Sequence, residues 1–168
     1  MLEIHTAIGK LNISWLSEVY FESIKLQGEN YSDFSVNAQI LEAQQDFYWS
    51  LESFFRQKGV FYAVWNLGDG YKAALRCEPY QDGLLLEGVE TAPECRRRGY
   101  ARDLLRAVIA YLRQSGYHKL YSHVHKGNEA SLRLHKRCGF TIISDRACYI
   151  DGSVDYKSYT LECLLTDE

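Results

Sequence analysis

The chain has no apolar run able to cross a bilayer: its longest apolar stretches are about half of the roughly 18–20 residues that a spanning helix requires. Its opening, Met1-Leu2-Glu3-Ile4-His5, lacks both a basic patch and an apolar signal core, so a cytoplasmic protein with no membrane partner is expected. Only two prolines occur, Pro79 and Pro93, and there is no repeat, low-complexity tract or Pro/Ser-rich linker. A single domain over residues 1–168 is expected. The cysteines lack a pattern: Cys77, Cys95, Cys138, Cys148 and Cys163 are odd in number, irregularly spaced and contain no Cys-x-x-Cys pair. Neither a disulfide framework nor a zinc knuckle follows, and the thiols read as reduced packing residues. The Asn-x-Ser sequons at Asn12 and Asn30 carry no weight without secretion. Gly-x-Gly-x-x-Gly and Gly-Lys-Ser/Thr are both missing, which disfavours a dinucleotide or a P-loop nucleotide.

The 168 residues are 46% apolar, 24% charged and 14% aromatic, enough to build one compact core. The net charge of −3 hides an asymmetry. Residues 1–92 hold 6 Lys/Arg against 13 Asp/Glu, whereas residues 93–168 hold 13 against 9. Such a split suits a protein that brings a polyanionic cofactor to a cationic substrate; chance composition of a solvated surface would produce it too.

Leu2 to Ala7 reads as a short strand, and Leu16, Val19, Tyr20 and Ile24 recur at helical spacing up to Gly28. Asn37 is placed to cap a second helix whose stripe from Ile40 to Phe55 ends at Gly59. Val60 to Trp65, Tyr71 to Arg76 and Leu84 to Thr91 are β-prone runs separated by Asp69-Gly70 and Asp82-Gly83, which favour tight turns. Ala101, Leu104, Leu105, Val108, Ile109 and Leu112 then mark one helical face, closed by Gly116, and Lys119 to His125 reads as a strand. Asn128 is placed to cap a short helix ending at Cys138-Gly139, and Phe140 to Ile150 pairs with Tyr156 to Leu164 as a hairpin around Asp151-Gly152. The order β-α-α-β-β-β-α-β-α-β-β predicts an α+β fold, a mixed, mostly antiparallel central sheet flanked by helices.

Leu84 to Ala101 is the most informative segment: a strand, a tight Arg/Gly turn, then the first turn of a strongly amphipathic helix. A helix start exposes unpaired N–H groups and about half a positive charge, and Gly99 lets the backbone approach an anion. Arg96, Arg97, Arg98 and Arg102 add permanent charge, with Arg106 one turn further on. A pyrophosphate cradle is favoured over a merely solvated basic helix start. Nucleic-acid binding through the same arginines is disfavoured, because the chain is acidic overall and no aromatics interleave with the basic residues.

Arg96-Arg97-Arg98-Gly99-Tyr100-Ala101 resembles the Gln/Arg-x-x-Gly-x-Gly/Ala signature of the GNAT superfamily of N-acetyltransferases. Downstream, Asn128 to Phe140 resembles that family's second signature, Asn-x-x-Ala/Ser-x-x-Leu-Tyr-x-x-x-Gly-Phe. The resemblance implies the acyl-CoA N-acyltransferase fold, with acetyl-CoA as cosubstrate and no metal. It implies that Val89 and Thr91, with Glu90 between them, pair their backbone with the pantetheine arm, that Arg96, Arg97, Arg98, Gly99, Tyr100 and Ala101 hold the pyrophosphate, and that Asn128 helps hold the arm. The residue after Leu134 is usually a tyrosine beside the thioester sulfur; this chain has His135 there.

Acetyl transfer to an amine needs a donor for the oxyanion, a proton for the departing thiolate and a base for the ammonium. His135, with an ordinary pKa near ~6.5, is a stronger acid than a phenol near ~10, yet it equally fits a structural place against the helix C-terminus. Tyr100, Tyr117 and Tyr121 are further hydroxyls without positional support. For the base, Glu87 is the first choice and Glu90 the second, with an exposed or salt-bridged glutamate as the alternative for each. In a regular strand the two would face opposite sides; a bulge, common in this strand of the family, removes that distinction. His123 and His125 share a side of their strand, but without acid or thiol ligands at diagnostic spacing a metal is disfavoured against a lining or relay role.

Direct acetylation of a primary amine is thus the expected function, and a catalytically idle acetyl-CoA-binding sensor or interaction module is the alternative. The acceptor is expected to be a small-molecule or peptide amine, cationic or partly apolar, since Glu22, Glu29, Asp33 and many aromatics lie in the helices and the 27–35 loop that shape the acceptor pocket in the family. The C-terminal hairpin offers a sheet edge on which a homodimer would form.

Overall fold

Alternating burial along the central strands and 3.6-residue stripes on the helices sort this chain into a sheet with a separate core on each face. The structure, a computed structural model, describes residues 1–29 and 36–166, apart from the side chains of Val36 and Asn37. In chain order the elements are β1 (Leu2–His5), α1 (Ile13–Val19), α2 (Phe21–Gly28), α3 (Val36–Phe55), β2 (Phe61–Asn66), β3 (Tyr71–Tyr80) and β4 (Gly83–Thr91). There follow α4 (Tyr100–Gln114), β5 (Lys119–His125), α5 (Glu129–Arg137), β6 (Thr141–Ser144), β7 (Ala147–Cys148), β8 (Val154–Asp155) and β9 (Ser158–Leu164).

Among the described residues one sheet has seven strands in the order β1-β2-β3-β4-β5-β9-β6. Its neighbours are antiparallel except β4 and β5, which run parallel. The α+β class with a mostly antiparallel sheet is therefore as expected. On one face α4 lays Leu104, Leu105, Val108 and Leu112 against Ala63, Leu75, Leu86, Leu120 and Leu161. On the other, Leu16, Val19, Ile24, Ala43 and Leu51 from α1 to α3 pack on Tyr62, Val64 and Ala74.

Three local expectations change. The first helix is two helices meeting at Tyr20, where φ −91° and ψ 14° leave the helical region. The expected second helix begins at Val36, one residue before Asn37, and the 30–35 segment with Asp33 lies outside the described residues. The long C-terminal hairpin is divided: β6 pairs with β9 only to Ser144, and β7 and β8 form a two-stranded ribbon of their own. Asp151 closes that ribbon, its Oδ1 accepting from the Ser153 amide at 2.9 Å and hydroxyl at 2.6 Å. At Asn128 the expected cap is present, with the side-chain oxygen accepting from the Ser131 amide at 3.1 Å.

Because Leu104 is fully buried between α4 and the sheet, Leu104→Ala is expected to lower the unfolding free energy by about 2–5 kcal/mol in a urea titration.

Candidate active site

The site begins where a strand pair stops. β4 and β5 are in register only from Leu84 opposite Leu120 to Leu86 opposite Ser122. Beyond that point β4 follows β3 to Thr91 and β5 follows β9 to His125. The unpaired ends of the two strands bound a cleft of about 560 Å³, lined by Glu87 to Thr91 on one side and Ser122 to His125 on the other. Glu22 and Ser23 of α2, Arg96 after β4, and Asn128, Ser131 and His135 around α5 complete its wall.

A bulge sets the faces of β4. Arg76 stands opposite Glu87 but Ala74 stands opposite Glu90, so β4 has one residue more than β3 over this stretch. Arg76 and Ala74 share a face, and their partners therefore share it too, which places both Glu87 and Glu90 toward α1 to α3. Gly88 takes up the extra residue at φ +60°, where a Cβ would also meet the Tyr20 hydroxyl at 3.3 Å. That hydroxyl donates to the Gly88 carbonyl at 2.6 Å, so the junction of α1 and α2 holds the bulge.

The two glutamates differ in surroundings. Glu87 accepts from Arg76 Nη2 at 2.9 Å and Nε at 3.3 Å, and the Arg76 guanidinium lies 5.4 Å from the centre of the Phe54 ring. Glu78, on the same face of β3, hydrogen-bonds Glu87; burial first, then the charge and hydrogen bond of Glu87, push its carboxyl up to about 7. Glu90 accepts a short hydrogen bond from the Ser23 hydroxyl. Burial raises its carboxyl above the usual range, against the Ser23 bond and the charge of Arg96, which lower it.

Two of the three histidines on the cleft are desolvated. His135 is only 1% exposed and packs edge-on against Phe140, with 4.9 Å between ring centres. Its Nδ1 lies 2.8 Å from the Ser131 carbonyl, which fixes Nδ1–H as the donor and leaves a lone pair on Nε2. Nε2 has no partner among the described residues. Burial pushes its pKa down, opposed by the Ser131 bond, so at neutral pH it is an imidazole and not the imidazolium that an acid requires. His123 has neither ring nitrogen partnered among the described residues. Its ring stands edge-on to Tyr80 at 5.5 Å and Tyr149 at 4.9 Å, and burial lowers its pKa as well. His125 shares the cleft but accepts from the Gly127 amide at 3.1 Å. Among the described residues no three His, Cys, Asp or Glu side chains cluster as metal ligands.

The arginine turn enters the left-handed region at two points, one of them a residue that the conformation strains. Gly99, the residue before α4, has φ +87°, and Arg97 has φ +64°, left-handed for a residue with a side chain. The first helical bond runs from the Asp103 amide to the Gly99 carbonyl at 3.0 Å, so the amides of Tyr100, Ala101 and Arg102 have no acceptor within α4. The Tyr100 side chain packs between the two cores, which leaves only its amide to a ligand. Arg96 faces the main cleft with Val89, Glu90, Thr91 and Asn128; Arg97, Arg98 and Gly99 line a second cleft beside it. Tyr121 donates to Asp82 instead, and among the described residues no tyrosine lines the main cleft.

Sequence reasoning passed over Tyr20, Ser23, Arg76 and Glu78. Arg76 and Glu78 reach Glu87 from the neighbouring strand, in the register that runs unbroken from the turn before β4, whereas Tyr20 and Ser23 reach Gly88 and Glu90 from the junction of α1 and α2. For the bulge the signals were two, the family resemblance, which implies a bulge in this strand, and Gly88 itself, a glycine in the middle of a β-prone run.

A sequence model of the Acetyltransferase (GNAT) family matches residues 24–140. The chain is 32% identical over 80 residues to GCN5-related N-acetyltransferase 6, chloroplastic, of Arabidopsis thaliana; the match covers 45% of this chain, and the chain spans 28% of the length of that curated relative. PaiA N-acetyltransferase from Thermoplasma acidophilum, solved in complex with coenzyme A, superposes with a TM-score of 0.65 at 14% identity, over 98% of this chain and 99% of that one. Ribosomal-protein-alanine N-acetyltransferase from Brucella melitensis gives 0.66 at 19% identity over 98% and 99%. At these identities the two structures share the fold, which is the acyl-CoA N-acyltransferase fold expected from the resemblance. With the family's own sequence pattern running through well over half of its length, the chain belongs to the Acetyltransferase (GNAT) family.

Proposed function

We propose that residues 1–168 form one N-acetyltransferase domain that moves the acetyl group of acetyl-CoA to a primary amine by direct attack within a ternary complex. The carrying observation is the cleft itself: an unpaired β4 edge leads from a desolvated carboxyl at Glu90 to Arg96, and the turn that follows ends in the free amides at the start of α4. The residues fit acetyl-CoA, because Gly99, at φ +87°, keeps the backbone bare beside the free amides of Tyr100 and Ala101. Bound there, acetyl-CoA supplies the activated thioester.

The chain's own residues do the rest. The unpaired edge of β4 at Val89 and Thr91 supplies backbone groups for the arm, and the carboxamide N–H groups of Asn128 remain free of its capping bond. Arg96, Arg97 and Arg98 with the amides of Gly99, Tyr100 and Ala101 hold the pyrophosphate. Glu90 takes the proton of the acceptor ammonium, since its burial raises its proton affinity while the Ser23 hydroxyl aims it; the freed amine then forms the C–N bond at the thioester carbonyl and gives its second proton to the sulfur as the C–S bond breaks. Glu87 is instead engaged by the Arg76 guanidinium at 2.9 Å. His135 contributes a lone pair at Nε2 as a neutral wall residue. Glu22, Glu87 and Glu90 on the cleft favour a cationic acceptor, a small amine or a peptide amine.

Proton linkage follows from Glu78. Its folded pKa lies above the unfolded value, so between about 4.3 and about 7 the folded state holds a proton that the unfolded state has lost, and stability falls as pH rises through that window. Glu78→Gln keeps a donor to Glu87, and the melting temperature of this variant is expected to exceed that of the wild type at pH 8 but to match it at pH 4. Equal melting temperatures at both pH values would remove Glu78 from the shared-proton pair.

Gly99→Val forces a β-branched residue into φ +87°, and acetyl-CoA affinity by calorimetry is expected to fall at least about tenfold with the fold intact. Unchanged affinity refutes the cradle. Glu90→Gln is expected to cut kcat about 10²-fold or more across a panel of polyamine, aminoglycoside, amino-acid and peptide amines, with acetyl-CoA affinity retained. A wild-type rate in that variant assigns the base elsewhere, and no turnover by the wild type on any amine supports the binding-module alternative.

A further inference from the structure

Three carboxyls and one guanidinium line the main cleft: Glu22, Glu87 and Glu90, with Arg96 at the turn. Arg76 engages Glu87 at 2.9 Å, and the Ser23 hydroxyl donates to Glu90. Glu22, partly buried in the first turn of α2, has neither an ion pair nor a hydrogen bond to its side chain among the described residues. Its charge is near enough to raise the proton affinity of Glu90, while Arg96 acts on Glu90 in the opposite sense. Glu22 thus repels a neighbouring carboxyl across the cleft and has no counter-charge of its own, an arrangement that a bound cation relieves.

The imidazoles of the same cleft point to the same kind of ligand. His135 is 1% exposed and its Nε2 lone pair has no donor, and neither ring nitrogen of His123 has a partner among the described residues. Buried polar atoms are as a rule hydrogen-bonded, so lone pairs left open on a cleft mark where the N–H groups of a ligand are received. One ammonium group does not fill these places, because the reacting nitrogen gives its proton to Glu90 and attacks as a neutral amine, which leaves Glu22 as it was. We propose that Glu22 is a specificity residue that binds a second ammonium group of the acceptor, so that the preferred acceptor carries two. The inference rests on the acetyl-transfer reading above and names the acceptor class within it. The nitrogen at Glu90 is acetylated and the nitrogen at Glu22 keeps its proton throughout, giving the mono-N-acetylated product and CoA. That product has a single ammonium group left, so it is a poor acceptor and the reaction stops after one acetyl transfer.

The test is steady-state kinetics with saturating acetyl-CoA on two arms of matched acceptors: 1,4-diaminobutane and 1,5-diaminopentane against butylamine and pentylamine, and lysyl-alanine against norleucyl-alanine. Each is run on the wild type, on Glu22→Gln and on Glu18→Gln, which removes the same charge one turn earlier on the exposed surface of α1, outside the cleft; thermal melts establish that both variants are folded. Wild type is expected to favour the doubly charged member of a pair by about 10- to 100-fold in kcat/KM, chiefly through KM, with the mono-acetylated product accumulating. Glu22→Gln should shrink that preference to less than about threefold while the singly charged member changes little, and Glu18→Gln should retain it. Preference in the first arm identifies a free diamine, and preference in the peptide arm alone identifies a dibasic peptide. No preference in either arm, a preference that survives Glu22→Gln, or one that Glu18→Gln abolishes equally overturns the inference and leaves acetyl transfer standing. No turnover of any amine overturns both.

Discussion

Two neighbouring strands that part after three paired residues govern this molecule. Within a sheet, backbone donors and acceptors are satisfied by the next strand; where β4 and β5 diverge, both lose that partner while staying anchored on their other sides. The result is a rigid cleft with unpaired backbone on both walls. Every other site feature is placed relative to it: the arginine turn caps the end of β4, α5 leaves from the end of β5, and α2 roofs the bulge.

The charge asymmetry of the sequence becomes spatial through this same parting. Glu22, Glu78, Glu87 and Glu90 all come from the acidic first part of the chain and gather on the face covered by α1 to α3. The arginines of the turn and of α5 come from the basic second part and surround the start of α4. Two adjoining clefts thus run from negative to positive potential, an arrangement in which a cation and a polyanion enter from different sides without competing for the same groups.

What the sequence makes legible is what depends on local rules. The stripe of α4, the left-handed Gly99, the Asn128 cap and the strand runs all follow from spacing and residue chemistry within one element. The break at Tyr20 is invisible to periodicity, because Leu16, Val19, Tyr20 and Ile24 keep helical spacing across it. The pairing of Arg76 with Glu87, and of Glu78 with the same carboxylate, depends on how β3 lies against β4, a relation between strands and not a pattern within either. Parity alone put Glu87 and Glu90 on opposite faces; the bulge unites them. His135 was legible as a departure from the family's tyrosine, but its neutral state follows from burial and from the Ser131 carbonyl, which no linear pattern records.

Tyr20 sits at the joint of two helices and holds the Gly88 carbonyl, while Ser23, less than one turn later, holds Glu90. α1, α2 and the strand that carries Glu90 are therefore one mechanical unit, joined by two hydroxyls. A substitution that re-angles α1 against α2 also drags the β4 edge with it. On the proposed reading of the cleft, acceptor preference and reaction rate are thus yoked, so that a change in one calls for a compensating change in the other.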